Sequence, residues 1–310
     1  MEALRDVYGQ ALAQYGKDNP RVMVLDADLA TSTKSVYFQQ ACPERFFDVG
    51  IAEANMTAMA AGMASAGAIP FLNTFATFVT TIGSLAAKTL IGYNRLNVRL
   101  IGSNNGLTGG YDGSTHHSLD DISVMRLIPG MLVLYPSDAC MTRRLTRMLI
   151  EEDLGPVYMS VSRNATEDLY APDTSFEPGK AKVLREGRDA SILAYGLSVG
   201  RALKAAQALA QAGISCRVVD MFTLKPADEA AIVAAALETG AVITAEEQWI
   251  PGGLYSIVAE TLLSRGISAR FGGVGITRYT SSGTYAQLVE HYGISEKDIA
   301  QKVRNTLGKA

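Results

Sequence analysis

Apolar residues recur along this chain with two spacings. Short, continuous runs of aliphatic and β-branched residues at 22–25, 46–49, 69–72, 98–101, 131–135 and 157–161 predict strands, and helical spacing over 4–15, 53–65, 78–93, 120–127 and 138–151 predicts helices between them. A polar loop at 26–34 and a Gly-rich loop at 104–118 each follow a strand. Strands alternating with helices of this length define βαβ units, so the fold class is α/β with a largely parallel sheet. From 164 to 180 the rhythm stops: Pro172, Pro178 and several acidic residues read as a linker. The alternation then resumes, with strands at 191–195, 217–221, 242–245 and 269–274 and helices at 199–212, 227–238, 255–265 and 296–307. The expectation is two α/β domains, 1–165 and 185–310, joined by a linker at 166–184, each a largely parallel sheet flanked by helices.

Within that pattern one charge is out of place. Glu53 enters a helix of Ala, Met and Gly, and no other charged residue occurs before Gly67. Burying a carboxylate is costly unless it finds a partner. A helix N-terminal acid held by the dipole is one reading, and a functional acid is the other.

Composition narrows the field. Of 310 residues 48% are hydrophobic and 19% charged, enough for sizeable cores and without the signature of disorder. A net charge of −3 offers no electrostatic case for nucleic acid or an anionic membrane as partner. Cys42, Cys140 and Cys216 are scattered and odd in number, which fits a reducing compartment and argues against disulfides or a structural zinc. The charged N-terminus lacks a signal-peptide core, and no apolar run reads as a membrane span, so a cytoplasmic protein is expected.

Four further features could carry chemistry. The loop from Asn104 to His117 holds four glycines, Asp112 and two of the three histidines, at the carboxyl edge of a parallel sheet where ligands bind. It is neither a Walker loop nor a dinucleotide fingerprint, and Asp112 with His116 makes a weak metal pair, so no metal site is assigned. The run from Asp26 to Thr33 offers hydroxyls to an anion or simply a capping turn. Phe75 and Phe78 suit a core as well as a pocket wall. Arg163, just after a strand, could grip a phosphate or be an ordinary surface arginine.

Together these segments resemble the pyrimidine-binding and C-terminal domains of transketolase, in the thiamine-diphosphate superfamily, over essentially the whole chain. Asp48-Val49-Gly50-Ile51-Ala52-Glu53-Ala54-Asn55-Met56 is similar to the segment whose glutamate bonds the cofactor aminopyrimidine N1′, and Thr74-Phe75-Ala76-Thr77-Phe78-Val79 to the aromatic pocket stacked on that ring. Asp112-Gly113-Ser114-Thr115-His116 resembles the family's D-G-x-T-H substrate loop. Val219-Asp220-Met221-Phe222-Thr223-Leu224-Lys225-Pro226 and Glu246-Glu247 resemble the shared C-terminal domain. The resemblance implies Glu53 and His116 as catalytic residues, and Glu53, Phe75, Phe78 and Asp28 as cofactor-binding. It implies Asp112, His116, Arg5, Ser32, Arg163 and Asn104 as substrate-binding, with Arg5, Ser32 and Arg163 on the sugar's terminal phosphate. Asn104 stands where the family's phosphate set has a histidine, which puts the identity of the sugar in doubt, and Thr81 where the pyrimidine pocket has a tyrosine.

The family's diphosphate-binding domain, with its G-D-G…N signature for magnesium, has no counterpart here. The resemblance therefore implies the small subunit of a split transketolase that moves a two-carbon ketol unit between a ketose and an aldose phosphate. Thiamine diphosphate would be its cofactor, and Mg2+ would be ligated by a separate diphosphate-binding subunit, with two copies of each chain. A 2-oxoacid dehydrogenase-type β subunit and a non-catalytic assembly or regulatory subunit are the alternatives.

Overall fold

The structure, a computed structural model, describes residues 1–309. Six strands of the first domain, β1 (Val22–Asp26), β2 (Phe46–Asp48), β3 (Ile69–Phe75), β4 (Arg99–Ser103), β5 (Leu132–Leu134) and β6 (Val157–Val161), lie parallel in the spatial order β2-β1-β3-β4-β6-β5. β3, β4 and β6 are buried at every position, as largely apolar strands are when helices cover both faces, and polar exceptions such as Asn73 and Arg99 are hydrogen-bonded. β2 is the edge, with Phe47 and Asp48 exposed.

The second half supplies β7 (Lys182–Arg185), β8 (Ala190–Ala194), β9 (Cys216–Asp220), β10 (Thr223–Lys225), β11 (Ala241–Trp249) and β12 (Arg270–Ile276). Five of these form a second sheet in the order β12-β11-β8-β9-β7, parallel except for β7. β10 instead crosses over and pairs antiparallel with β5, so a strand of the second half closes the first sheet. Apolar packing follows it: Tyr135 of the first half shares a core with Met221, Leu224 and Leu254 of the second.

Four local expectations are revised. The helix expected over 78–93 is broken into Ala76–Thr81, Ser84–Ala86 and a π-helical turn, Ala87–Gly92. The break falls at Gly83, where a Cβ would come within 2.8 Å of both the Val79 carbonyl and the Thr57 hydroxyl, so only glycine permits that approach. The polar loop at 26–34 contains a one-turn helix, Ala30–Thr33, because the Asp26 carboxylate gathers the Leu29 N–H (2.6 Å) and the Thr33 and Ser35 hydroxyls (2.7 Å each). The expected linker at 166–184 is not all linker, since Lys182–Arg185 pairs with β9. Finally, a helix at Tyr285–His291, opened by a Thr284–Gln287 capping box, lies where no periodic pattern was legible.

Candidate active site

The turns that follow β1, β2, β3, β4 and β6 meet at the carboxyl edge of the first sheet, where open parallel sheets bind ligands. Glu53 stands in the first turn of helix Glu53–Ser65 and is 4% exposed. Gly50, at φ +73°, makes the turn that delivers it, with its N–H on Asp48 Oδ1 (2.9 Å). The Thr74 hydroxyl donates to Glu53 Oε1 at 3.5 Å, and among the described residues no cation pairs with this carboxylate. Phe75 closes β3 and Phe78 lies in the first turn of the next helix, Ala76–Thr81. Their rings stack at 5.7 Å and 24°, and the imidazole of His116 stands edge-on to both, 6.0 Å from Phe75 and 5.3 Å from Phe78. The Phe pair is thus a wall beside the acid.

The polar half of the site adjoins that wall. The Arg5 N–H donates to the Ser162 carbonyl (3.0 Å), which seats the first turn of helix Leu4–Gly16 beside the end of β6. Arg5 Nη1 donates to Ser32 Oγ (3.4 Å), and Arg163 Nη1 to Asp112 Oδ2 (3.1 Å). Burial, then the neighbouring Arg163 guanidinium, pulls Arg5 below its usual range, partly offset by Asp6 and Asp112. Arg5 Nε is buried with no partner. Two neighbouring guanidiniums, one with an unused buried donor, have the chemistry to receive an anion.

Asp28 takes a left-handed φ of 62° and is held by its N–H on Asp48 Oδ1 (3.2 Å), so Asp48 ties the β1 turn to the turn before Glu53. Burial pushes Asp26 up to about 6 against its three hydrogen bonds. Asn104 is fully buried at φ 59°, and neither atom of its amide has a hydrogen-bond partner. Left unpaired, such a group costs about 1–3 kcal/mol. Among the described residues, no three His, Cys, Asp or Glu side chains are placed to hold a metal ion, and no helix is long and apolar enough to cross a membrane.

Sequence reasoning missed what holds the substrate loop. His117, not His116, is the buried histidine, and its partner is Thr280 of the second domain. Glu247 receives the Leu107 N–H (3.4 Å) from the same loop. The doubled histidine was the only signal in the sequence.

A buried acid, a pair of stacked phenylalanine rings and two neighbouring arginines thus lie at the carboxyl edge of a parallel α/β sheet. Two family models match in order: the transketolase pyrimidine-binding domain over residues 2–168 and the transketolase C-terminal domain over residues 179–299. The chain is 40% identical over 306 residues to the 6-deoxy-6-sulfo-D-fructose transketolase subunit SqwH of Clostridium sp. (strain MSTE9), covering 96% of this chain and 92% of that one. It is 34% identical to human transketolase, covering 99% of this chain and 49% of that one. A solved split-gene transketolase, described as an inactive β4 tetramer, superimposes with a TM-score of 0.91 at 40% identity, covering 99% of each chain. The chain belongs to the transketolase family and spans its pyrimidine-binding and C-terminal domains.

Proposed function

We propose that this chain is the small subunit of a two-chain, thiamine-diphosphate-dependent transketolase acting in the cytoplasm. It would move a two-carbon ketol unit from a ketose phosphate to an aldose phosphate. The observation that carries the proposal is the continuity of Glu53, the Phe75–Phe78–His116 wall and the Arg5–Ser32–Arg163 cradle. The buried acid and stacked rings fit an aminopyrimidine. Thiamine diphosphate, when bound, supplies the nucleophilic carbon. Glu53, whose protein contact is the long Thr74 bond, would hold the cofactor's aminopyrimidine and its proton. Phe75 and Phe78 would exclude water from the ring, and Asp28 would contribute to the cofactor's binding. Asp112 and His116 read sugar hydroxyls beside the reacting carbon. Arg5, Arg163 and Ser32 bind the terminal anion, and Asn104, whose buried amide has no partner within the chain, completes the substrate side.

The diphosphate and its Mg2+ belong to a separate subunit, two copies of each chain making the complex. Exposed Ile51 (83%), Leu85 (74%), Ile82 (50%) and Leu90 (40%) support this, since the segment carrying the last three packs against the Glu53 helix beside the site. The inactivity of the related split-gene β4 tetramer supports the need for a second chain. The sulfonated sugar named for SqwH suits the same chemistry, because a guanidinium pair accepts sulfonate as well as phosphate. The test mixes this chain with a diphosphate-binding subunit, thiamine diphosphate and Mg2+, and screens phosphorylated and sulfonated ketoses against aldose acceptors. Ketol transfer by the mixture and not by either chain alone is expected. Oxidative decarboxylation of 2-oxo acids without ketol transfer, or full activity of this chain alone, would overturn it.

A further inference from the structure

The loop that carries Asp112 and His116 is grasped at both ends by the second domain. At its start, the Leu107 N–H donates to Glu247 Oε2 (3.4 Å), and Gly106 sits so close that a Cβ would lie 2.6 Å from that oxygen. Glu247 is fixed in turn: Arg201 donates to its other oxygen at 2.7 Å, and the Tyr285 hydroxyl donates to the same atom. At the loop's end, both nitrogens of the His117 ring are engaged. Nε2 lies 3.1 Å from the Gly110 carbonyl, and Nδ1 lies 2.8 Å from the Thr280 hydroxyl. A carbonyl can only accept, so Nε2 carries the proton and Nδ1 accepts from Thr280. His117 and Thr280 are 4% and 8% exposed, which shields both bonds from water. Between them Gly113, at φ +81°, lies against Ser282, whose Oγ a Cβ would approach to 2.7 Å.

We propose that His117 is a positioning residue for ketol transfer. Held by Thr280, it lets the second domain set the substrate loop so that Asp112 and His116 face the cofactor wall. The inference rests on the function proposed above. The mechanical link is short: His117 bonds across the loop to Gly110, and Asp112 and His116 lie between those two points. With the clasp cut, the second domain still holds Ser118 and Leu119 through Gln248 Nε2 (3.1 Å to the Ser118 carbonyl) and the Trp249 N–H (2.8 Å to the Leu119 carbonyl), so what the clasp itself holds is the segment between Gly110 and His117 that carries Asp112 and His116. The second domain, which contributes none of the residues assigned to cofactor or substrate, would thereby act on substrate binding.

The test has two arms. In the chain itself, Thr280→Val should speed hydrogen exchange of the 110–117 amides at least tenfold, with exchange in β3 and β4 unchanged. In the reconstituted complex, with fructose 6-phosphate as probe donor, Thr280→Val should lower kcat/KM by about 3- to 10-fold, the range one net hydrogen bond predicts. Most of that loss should appear as raised KM, with the apparent affinity for thiamine diphosphate unchanged. His117→Ala should lower kcat/KM further, and His117→Gln, whose amide can donate to Gly110 and accept from Thr280, should recover to within about threefold of wild type. Wild-type exchange in Thr280→Val, or equal loss in His117→Ala and His117→Gln, would overturn the proposal. A wild-type complex without ketol transfer would overturn the functional reading, while the exchange arm still judges the clasp.

Discussion

Replacing Glu53 by Gln separates its two readings, because the structure makes their magnitudes very different. The substitution keeps shape and hydrogen-bonding capacity and removes the acid. As a helix-terminal carboxylate Glu53 interacts with the dipole for about 0.3–1 kcal/mol, and up to about 2 in a partly buried setting. Its hydrogen bond from Thr74 is 3.5 Å long, at the limit of the interaction, and the Gln carbonyl can accept it as well. The folding cost is therefore at most about 1–2 kcal/mol, a fall in Tm of only a few degrees at about 2–4 °C per kcal/mol for a large domain. As the acid that holds a proton on the cofactor ring, Glu53 is responsible for about a 10²- to 10⁴-fold rate effect. The assay is ketol transfer by the reconstituted complex, alongside calorimetry and native mass of the variant assembly. The expected result is an intact complex, a small change in Tm and at least a hundredfold loss of kcat. Turnover within tenfold of wild type, with the complex intact, would refute the catalytic assignment and leave the helix-cap reading.

Other outcomes follow from single features of the structure. Arg163→Ala should raise KM for a phosphorylated ketose about 10- to 100-fold and KM for the unphosphorylated sugar by less, because the anion contact is lost only with the former while the Asp112 ion pair is lost with both. Glu246, fully buried and accepting from the Leu254 and Tyr255 N–H groups and the Tyr195 hydroxyl, is pushed by burial up to about 8. The folded state then keeps a proton that the unfolded chain releases, so this group's stabilisation is complete below about 4.5 and is lost as pH rises through about 8. Urea unfolding of Glu246→Gln against wild type should show the variant losing less stability between pH 6 and 8, by up to about 1.4 kcal/mol per pH unit; parallel curves would contradict this. Arg99 lies fully buried at the opposite end of β4 and donates to the carbonyls of Leu149 (2.9 Å), Glu152 and Gly155 (2.7 Å each). Arg99→Met should cost about 3–5 kcal/mol in denaturant unfolding, since three buried carbonyls lose their donor at once.

The alternation of short apolar runs with helical spacing determined by itself that two largely parallel sheets would form. A strand buried on both faces is predominantly apolar, and its crossover must be long enough to hold a helix. The same logic put the 26–34 and 104–118 loops at a ligand-binding edge, and Glu53 was conspicuous because a lone acid in an apolar helix is expensive to bury. Local pattern could not show which distant segments meet. Arg5 and Arg163 come from opposite ends of the first domain and are joined through the Ser162 carbonyl. β10 is too short to have a period and finds its place only by pairing with β5. The 78–93 helix is broken at Gly83, which lies so close to Thr57 that no Cβ fits, an approach helical spacing does not encode. Adjacent histidines look alike in sequence, and only the fold shows that His117 is the one buried, between Gly110 and Thr280. Glu53 was legible because its cost is local; its partners, its aromatic wall and the clasp on its substrate loop are contacts made only when the chain closes on itself.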